Sequence, residues 1–558
     1  MLKSSCATLV LMAVFWGTQV YADGKAAIAS AHPLATEAGF EILNQGGNVF
    51  DAAVAVSAAL AVVEPSGSGL GGGGFWLLHR ADDGFETMID GREKAPLAAH
   101  RDMFLDNSGK VIPRLSVDGA LAAAIPGMPA ALAHLSEKYG RLPLAQSLAP
   151  AIRYARDGFA IGERHRKLLK FRIEVMKKDP GAARLFLDNG AVPAYKSMLR
   201  QPDLTNTLSR LAEDGREGFY DGEVAEKLVG SVRKAGGIWT LQDLADYQVV
   251  EREPVRGWYR GIKITGAAPP SAGGIGLIEA LNILSGYDLK QVDSVTRKHL
   301  IAEAMRRAYH DRALYLGDAD FVDMPIRRLL NEDYAAGLRS SLRPDKALPS
   351  AMLSGHMAEA PDGPHTTHFS IIDAEGNRVA ATLSVNFPFG AGMVAAGTGV
   401  VLNDEMDDFV SLPGAMNVYG LVGGLANAIA PGKRMLSSMT PVFLEDGRRI
   451  AVLGTPGGSR IISMVLLGAL DFADGNGPDS WVRVPRFHHQ FIPDVIQYEK
   501  EAMTADEIKS LSERGHQLEE ARYRYGNMQA VMQDKTTHTL TAASDPRGEG
   551  RASVFSLR

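Results

Sequence analysis

The segment His365-Thr366-Thr367-His368-Phe369-Ser370 sets hydroxyls and imidazoles where a loop runs into a strand. A hydroxyl there can act as a nucleophile if a base stands beside it. By type alone, a Thr-Thr pair at a strand start is also ordinary β-former usage. Further on, Ser384 and Asn386 are two residues apart in the alternating run Val379 to Asn386, which places them on one strand face. His488-His489 offers two imidazoles, but adjacent residues seldom face one site and no third ligand is suitably spaced, so structural roles are expected and no metal site. The only cysteine is Cys6, which excludes a disulfide framework, cysteine metal sites and a cysteine nucleophile elsewhere.

Other motifs fail on context. Gly69-Leu70-Gly71-Gly72-Gly73-Gly74 fits G-x-G-x-x-G, but that motif needs a strand before it and a helix after it. Here an apolar helical segment precedes and Phe75-Trp76-Leu77-Leu78-His79 follows as a strand, so the glycines read as a turn where backbones approach closely. Pro431-Gly432-Lys433-Arg434 fails as a P-loop, because Asn427 stands where the first glycine is needed and Arg434 where a Ser or Thr is needed. H-E-x-x-H and G-x-S-x-G are absent.

The elements that must position these residues follow from periodicity. Residues 34–63 read as helices, with Ala52 to Leu60 apolar enough to be buried on most sides. Residues 118–345 read as mainly helical, including Leu148 to Asp157, Gly274 to Ser285 and Val295 to Leu316. Residues 345–365 read as a loop. His368 to Ile372 and Val379 to Val385 read as a hairpin joined by Asp373-Ala374-Glu375-Gly376-Asn377. Ile450 to Gly454 reads as a strand that turns through Pro456-Gly457-Gly458-Ser459 into a helix, Arg460 to Phe472.

The chain has 558 residues, 46% hydrophobic and 22% charged, which excludes a disordered chain. Its formal net charge of −6 argues against a nucleic-acid or anionic-membrane binder. Lys3, the apolar run Ala7 to Trp16 and the small-x-small end Val20-Tyr21-Ala22 match a secretory signal over residues 1–22, with no membrane anchor after its removal and a periplasmic or secreted product. The apolar run is too short to span a bilayer, and Cys6 precedes it, which argues against a lipoprotein.

Several stretches together resemble the gamma-glutamyltransferase (glutathione hydrolase) family of N-terminal nucleophile hydrolases. They are Leu70 to Phe75, Arg92-Glu93-Lys94-Ala95-Pro96, Thr366 to Ser370, Leu402 to Phe409, Pro431 to Met439 and Gly454 to Arg460, in the family's order from about residue 25 onward. The resemblance implies a precursor that cuts itself at His365–Thr366 into a large subunit, 23–365, and a small catalytic subunit, 366–558. The exposed Thr366 α-amine, with an ordinary pKa of about 7.7–8.0, would serve as general base for the Thr366 hydroxyl. The resemblance further implies that Ser384, where the family more often has Thr, contacts the nucleophile, and that Gly457 and Gly458 form the oxyanion hole. Arg92, Ser437 and Ser438 would hold a substrate carboxylate; a guanidinium suits one bidentately. Asn386, Glu405 and Asp408 would hold its ammonium. Gly414 to Gly424, with Asn417 and Tyr419, looks like the family's lid loop. Taken singly, Arg92 reads as a solvated charge, Asp407-Asp408 as an acidic loop and Gly457-Gly458 as a tight turn.

The expected fold is α+β: a four-layer αββα sandwich of the N-terminal nucleophile hydrolase type, formed jointly by both subunits, with most of 118–345 as peripheral helix. The implied substrates are glutathione and other γ-glutamyl compounds, with water, an amino acid or a dipeptide as acceptor and no metal or organic cofactor. Two rivals are a same-fold acylase of the glutaryl-cephalosporin type and a non-catalytic periplasmic binding protein for glutathione or amino acids.

Overall fold

Alternate side chains of Lys25–Ser30 (β1) enter two different cores, Ala26 and Ile28 on one side and Ala27 and Ala29 on the other. A strand buried on both faces must lie between two layers. The computed structural model describes residues 25–353 and 366–556; the expected signal segment and His365 of the expected cleavage bond lie outside them.

In chain order the main strands after β1 are Gly73–His79 (β2), Glu86–Gly91 (β3), Val250–Arg252 (β4), Val255–Tyr259 (β5), Ile262–Gly266 (β6), Thr367–Asp373 (β7), Arg378–Ser384 (β8), Val442–Glu445 (β9), Arg449–Gly454 (β10), Gln529–Asp534 (β11), Leu540–Ser544 (β12) and Arg551–Ser556 (β13). The first sheet runs β13-β1-β7-β8-β2-β3-β4 and the second β12-β11-β10-β9-β6-β5. Every pairing in both is antiparallel.

Helices Pro33–Asn44 (α1) and Val49–Val63 (α2) cover the outer face of the first sheet. All of α2 is buried, as its apolar run implies, and Asn48 caps its start with Asp51 reaching back. Trp76 Nε1 donates to Ser57 Oγ at 3.0 Å, tying β2 to α2. The other faces meet: Phe75, Leu77, Ile372 and Ala380 share a core with Phe443 and Val452 of the second sheet. Gly273–Leu284 (α3), Ser294–Tyr315 (α4) and Ile461–Ala473 (α5) form the outer layer beyond that sheet. The result is the expected αββα sandwich. Each sheet draws strands from both sides of residue 365.

One expectation is corrected. Residues 118–345 are not only peripheral helix: β4, β5 and β6 fall within them, and α3 and α4 are a layer of the sandwich. Pro254 separates β4 from β5 and Gly257 sits inside β5, so the segment lacks a clean strand signature. Gly257 is required there, since a Cβ would lie 2.4 Å from Ile278 on α3.

Candidate active site

Thr366 immediately precedes β7 and is 4% exposed. Leu383 and Thr367 are the last paired residues of β8 and β7. One step further, Thr366 Oγ1 lies 3.4 Å from Ser384 Oγ. The glycine run explains how the two stay sheltered. A Cβ on Gly72 would lie 2.0 Å from the Ser384 carbonyl and one on Gly71 2.0 Å from that of Val401, so only glycines let this turn cross the end of β8.

Alternation places Asn386 on the strand face of Ser384, and the structure corrects this. β8 ends at Ser384, and Asn386 has a left-handed backbone at φ +71°. Its N–H donates to Ser384 Oγ at 2.7 Å and its Nδ2 to the Asp404 carbonyl at 3.0 Å. The tight turn brings both residues to one cavity by a different route.

The acidic stretch is a buried 3₁₀ turn, Glu405–Asp408, and not a solvated loop. With three residues per turn, Glu405 and Asp408 project the same way. Both reach Arg92, which follows β3: Nη1 meets Glu405 Oε2 at 2.5 Å, Nη2 meets Asp408 Oδ2 at 2.6 Å, and Nε donates to the Met435 carbonyl at 3.2 Å. Arg92 is 1% exposed, so it is no surface charge. Burial pushes the Glu405 carboxyl up to about 7 against the pull of Arg92. Asp407 points away, accepting from Ser116 Oγ at 2.6 Å and from the Val418 N–H at 2.7 Å, and burial pushes it to about 7 as well.

Ser437 and Ser438 also line the cavity. Ser437 is fixed by backbone bonds to Pro270 and Ala272, while Ser438 Oγ makes no hydrogen bond among the described residues. Gly457 and Gly458 follow β10 and precede α5, with φ of +148° and +56°. Gly458 lines the cavity; Gly457 backs the turn against Met464. Tyr309 on α4 donates to the Ser459 carbonyl and anchors this turn.

The segment expected as a lid closes over these groups. Tyr419 OH donates to the Asn386 carbonyl at 2.8 Å, its ring abuts Gly458, and Asn417 Nδ2 donates to Asp408 Oδ1 at 2.9 Å. The cavity these groups line is small, ≈ 20 Å³, and partly open to solvent, with room for about one or two waters.

Sequence reasoning passed over Glu93. It is fully buried, 3.5 Å from Arg92 Nη1, and its carboxyl makes no side-chain hydrogen bond among the described residues. Burial and the Glu405 charge hold it well above the usual carboxylate range. Its adjacency to Arg92 looks like a solvated pair, and nothing local signals burial. Of the histidine pair, His488 hydrogen-bonds Ser463 and Gln490, and His489 hydrogen-bonds Asp494. No group of metal-ligating side chains is found among the described residues.

Comparison with known proteins accords with this geometry. The sequence profile of gamma-glutamyltranspeptidase matches residues 35–555. A glutathione hydrolase proenzyme of Pseudomonas sp. (strain A14) is 44% identical over 88% of this chain and 86% of its own length. One from Escherichia coli (strain K12) is 41% identical over 93% and 90%. Among solved structures, a cephalosporin acylase from Bacillus halodurans superposes with a TM-score of 0.84 at 28% identity, over 95% of this chain and 96% of that one. On the match across nearly all of its length, this chain belongs to the gamma-glutamyltranspeptidase family.

Proposed function

We infer that this chain is a gamma-glutamyltransferase and glutathione hydrolase, made as a precursor that cuts itself at His365–Thr366 into 23–365 and 366–558. The observation that carries the reading is a threonine hydroxyl at a strand start, 3.4 Å from a second hydroxyl, in the same cavity as a guanidinium flanked by two acids. Arg92, Glu405 and Asp408 form an internal set of ion pairs. A γ-glutamyl group brings one carboxylate and one ammonium, so it exchanges those pairs for intermolecular ones without changing the net charge of the site. Arg92 and the two serines take the carboxylate; Glu405, Asp408 and Asn386 take the ammonium.

Thr366 Oγ1 then attacks the γ-carbonyl while the Thr366 α-amine accepts its proton. Backbone N–H groups of Gly457 and Gly458 stabilise the tetrahedral oxyanion. The α-ammonium returns the proton to the leaving amine, cysteinylglycine in the case of glutathione, leaving a γ-glutamyl ester on Thr366. Water or the amine of an acceptor amino acid or dipeptide resolves the ester. Ser384 orients the nucleophile. The reading includes export to the periplasm or beyond through residues 1–22. Among the described residues no helix is long and apolar enough to cross a membrane.

A glutaryl acylase is the second reading, favoured by the cephalosporin acylase likeness. A glutaryl group lacks the ammonium for which Glu405 and Asp408 are placed. Denaturing gels of wild type and Thr366→Ala, with N-terminal sequencing, test the first step. Wild type is expected as two fragments, the smaller beginning at Thr366, and Thr366→Ala as one chain. An active, uncut wild type overturns the mechanism and points to a different nucleophile, whereas an uncut chain without activity revives the binding-protein rival. Rates on γ-glutamyl and glutaryl anilides separate the two enzymes.

A further inference from the structure

The cut at His365–Thr366 turns an interior residue into a chain end. Ends of chains fray unless something ties them down. The contact between Thr366 Oγ1 and Ser384 Oγ is long, at 3.4 Å. The next residue carries a much firmer tie. Along β7 successive side chains point to opposite faces, so where Thr366 faces the cavity, Thr367 faces the end of α2. There Thr367 Oγ1 donates to Glu64 Oε2 at 2.6 Å, with Thr367 wholly buried and Glu64 nearly so.

Glu64 is held in turn. It is the residue that ends α2, and its own carbonyl accepts the N–H groups of Gly67 and Ser68. Its second oxygen lies 3.7 Å from Arg164 Nε, and the Arg164 N–H donates to Glu549 at 3.0 Å. Gly67 fits between the two partners: a Cβ there would sit 3.4 Å from both the Glu64 carboxyl carbon and the Thr366 carbonyl oxygen. A carboxylate ending a helix, where the dipole disfavours negative charge, and buried besides, is a costly arrangement. It needs a reason beyond filling space.

We propose that Glu64 is the positioning residue of the nucleophile, clamping Thr367 so that Thr366 keeps its hydroxyl and its new amine in register with the γ-glutamyl carbonyl after the chain is cut. The inference rests on Thr366 being the nucleophile. Glu64 does not touch the substrate. It acts through one side chain and one peptide unit, so it governs the rate of acylation and of self-cleavage, not the binding of the γ-glutamyl group.

The test uses the full chain with Glu64→Ala, Glu64→Gln, Thr367→Val and the double Glu64→Ala/Thr367→Val. The half-time of self-cleavage is followed on gels, and kcat and KM for a γ-glutamyl anilide are measured on the cut product. Glu64→Ala and Thr367→Val are each expected to slow cleavage and kcat at least tenfold, with KM within twofold. Glu64→Gln keeps an acceptor and is expected within about threefold of wild-type kcat. The double variant is expected to be no slower than the slower single one, because both remove the same bond. If Glu64→Ala does not fold, Thr367→Val and Glu64→Gln carry the test between them. The proposal falls if kcat survives Thr367→Val, if the loss appears in KM, if Gln fails to rescue, or if the two losses multiply. Thr366→Ala runs alongside. An active Thr366→Ala chain retires the nucleophile reading, whereas an inactive one beside a fully active Thr367→Val retires this inference alone.

Discussion

Adding a single methyl group at Gly458 tests how the proposed lid and the proposed oxyanion turn fit together. Gly458 has φ of +56°, and a Cβ there would lie 2.5 Å from Tyr419 Cδ1 and 2.6 Å from Cε1. Carbon atoms rest at about 3.5–4.0 Å, so alanine overlaps the ring by roughly 1 Å. Two costs follow. The left-handed backbone costs alanine about 1–2 kcal/mol, and relieving the overlap costs about 1–3 kcal/mol more. Either Tyr419 moves and breaks its bond to the Asn386 carbonyl, or the turn moves and takes the Gly458 N–H away from its proposed place at the oxyanion. Loss of one such donor lowers kcat by about 10²–10³. We expect Gly458→Ala to lower kcat/KM on a γ-glutamyl anilide at least about a hundredfold while the chain is still cut. In a Tyr419→Ala background the overlap is gone. The same glycine change should then cost only the backbone strain, about five- to thirtyfold. Gly458→Ala within tenfold of wild type, or a loss that Tyr419→Ala leaves unchanged, would refute the reasoning.

Arg92→Lys replaces a fork that spans two acids and a carbonyl by a point charge; leaving a buried acid unpaired costs about 3–5 kcal/mol, so kcat/KM should fall at least about a hundredfold by steady-state kinetics, and a fall below tenfold would contradict the ion-pair exchange. Asp407 has its pKa raised to about 7 by burial, so its proton-linked stabilisation is complete below the ordinary carboxylate range and is lost as pH rises through about 7. Asp407→Asn should therefore gain in melting temperature relative to wild type between pH 4.5 and 7.5, and a difference flat with pH would count against it. Gly72→Ala must drive the Ser384 carbonyl back from a 2.0 Å contact; we expect a lower melting temperature and impaired self-cleavage, and unchanged melting would show that the end of β8 is not held there.

Some of this was legible in the residues themselves. The glycine run at 69–74, the hairpin across Asp373 to Asn377 and the strand-turn-helix around Gly457-Gly458 declare themselves because turns, strand alternation and helical periods are local properties of the chain. Matching motifs in order were enough to point at Thr366, Arg92 and the acidic stretch. Periodicity could not say that Arg92 and Glu405, 313 residues apart, are buried against one another. Nor could it say that Glu93 is buried beside them, or that Glu64 at the end of α2 reaches Thr367 across 303 residues. A charged residue carries the same letters whether solvated or enclosed, and only the stacking of the two sheets and their helices removes the water. Asn386 makes the same point: alternation put it on the face of Ser384, while the close crossing of the glycine run and the Asp404 carbonyl accompany a left-handed turn there. What the sequence determined alone is which elements form and which chemistry they carry. The tertiary structure decided which charges meet in one buried cavity, because burial and long-range pairing arise from packing between segments that no local pattern connects.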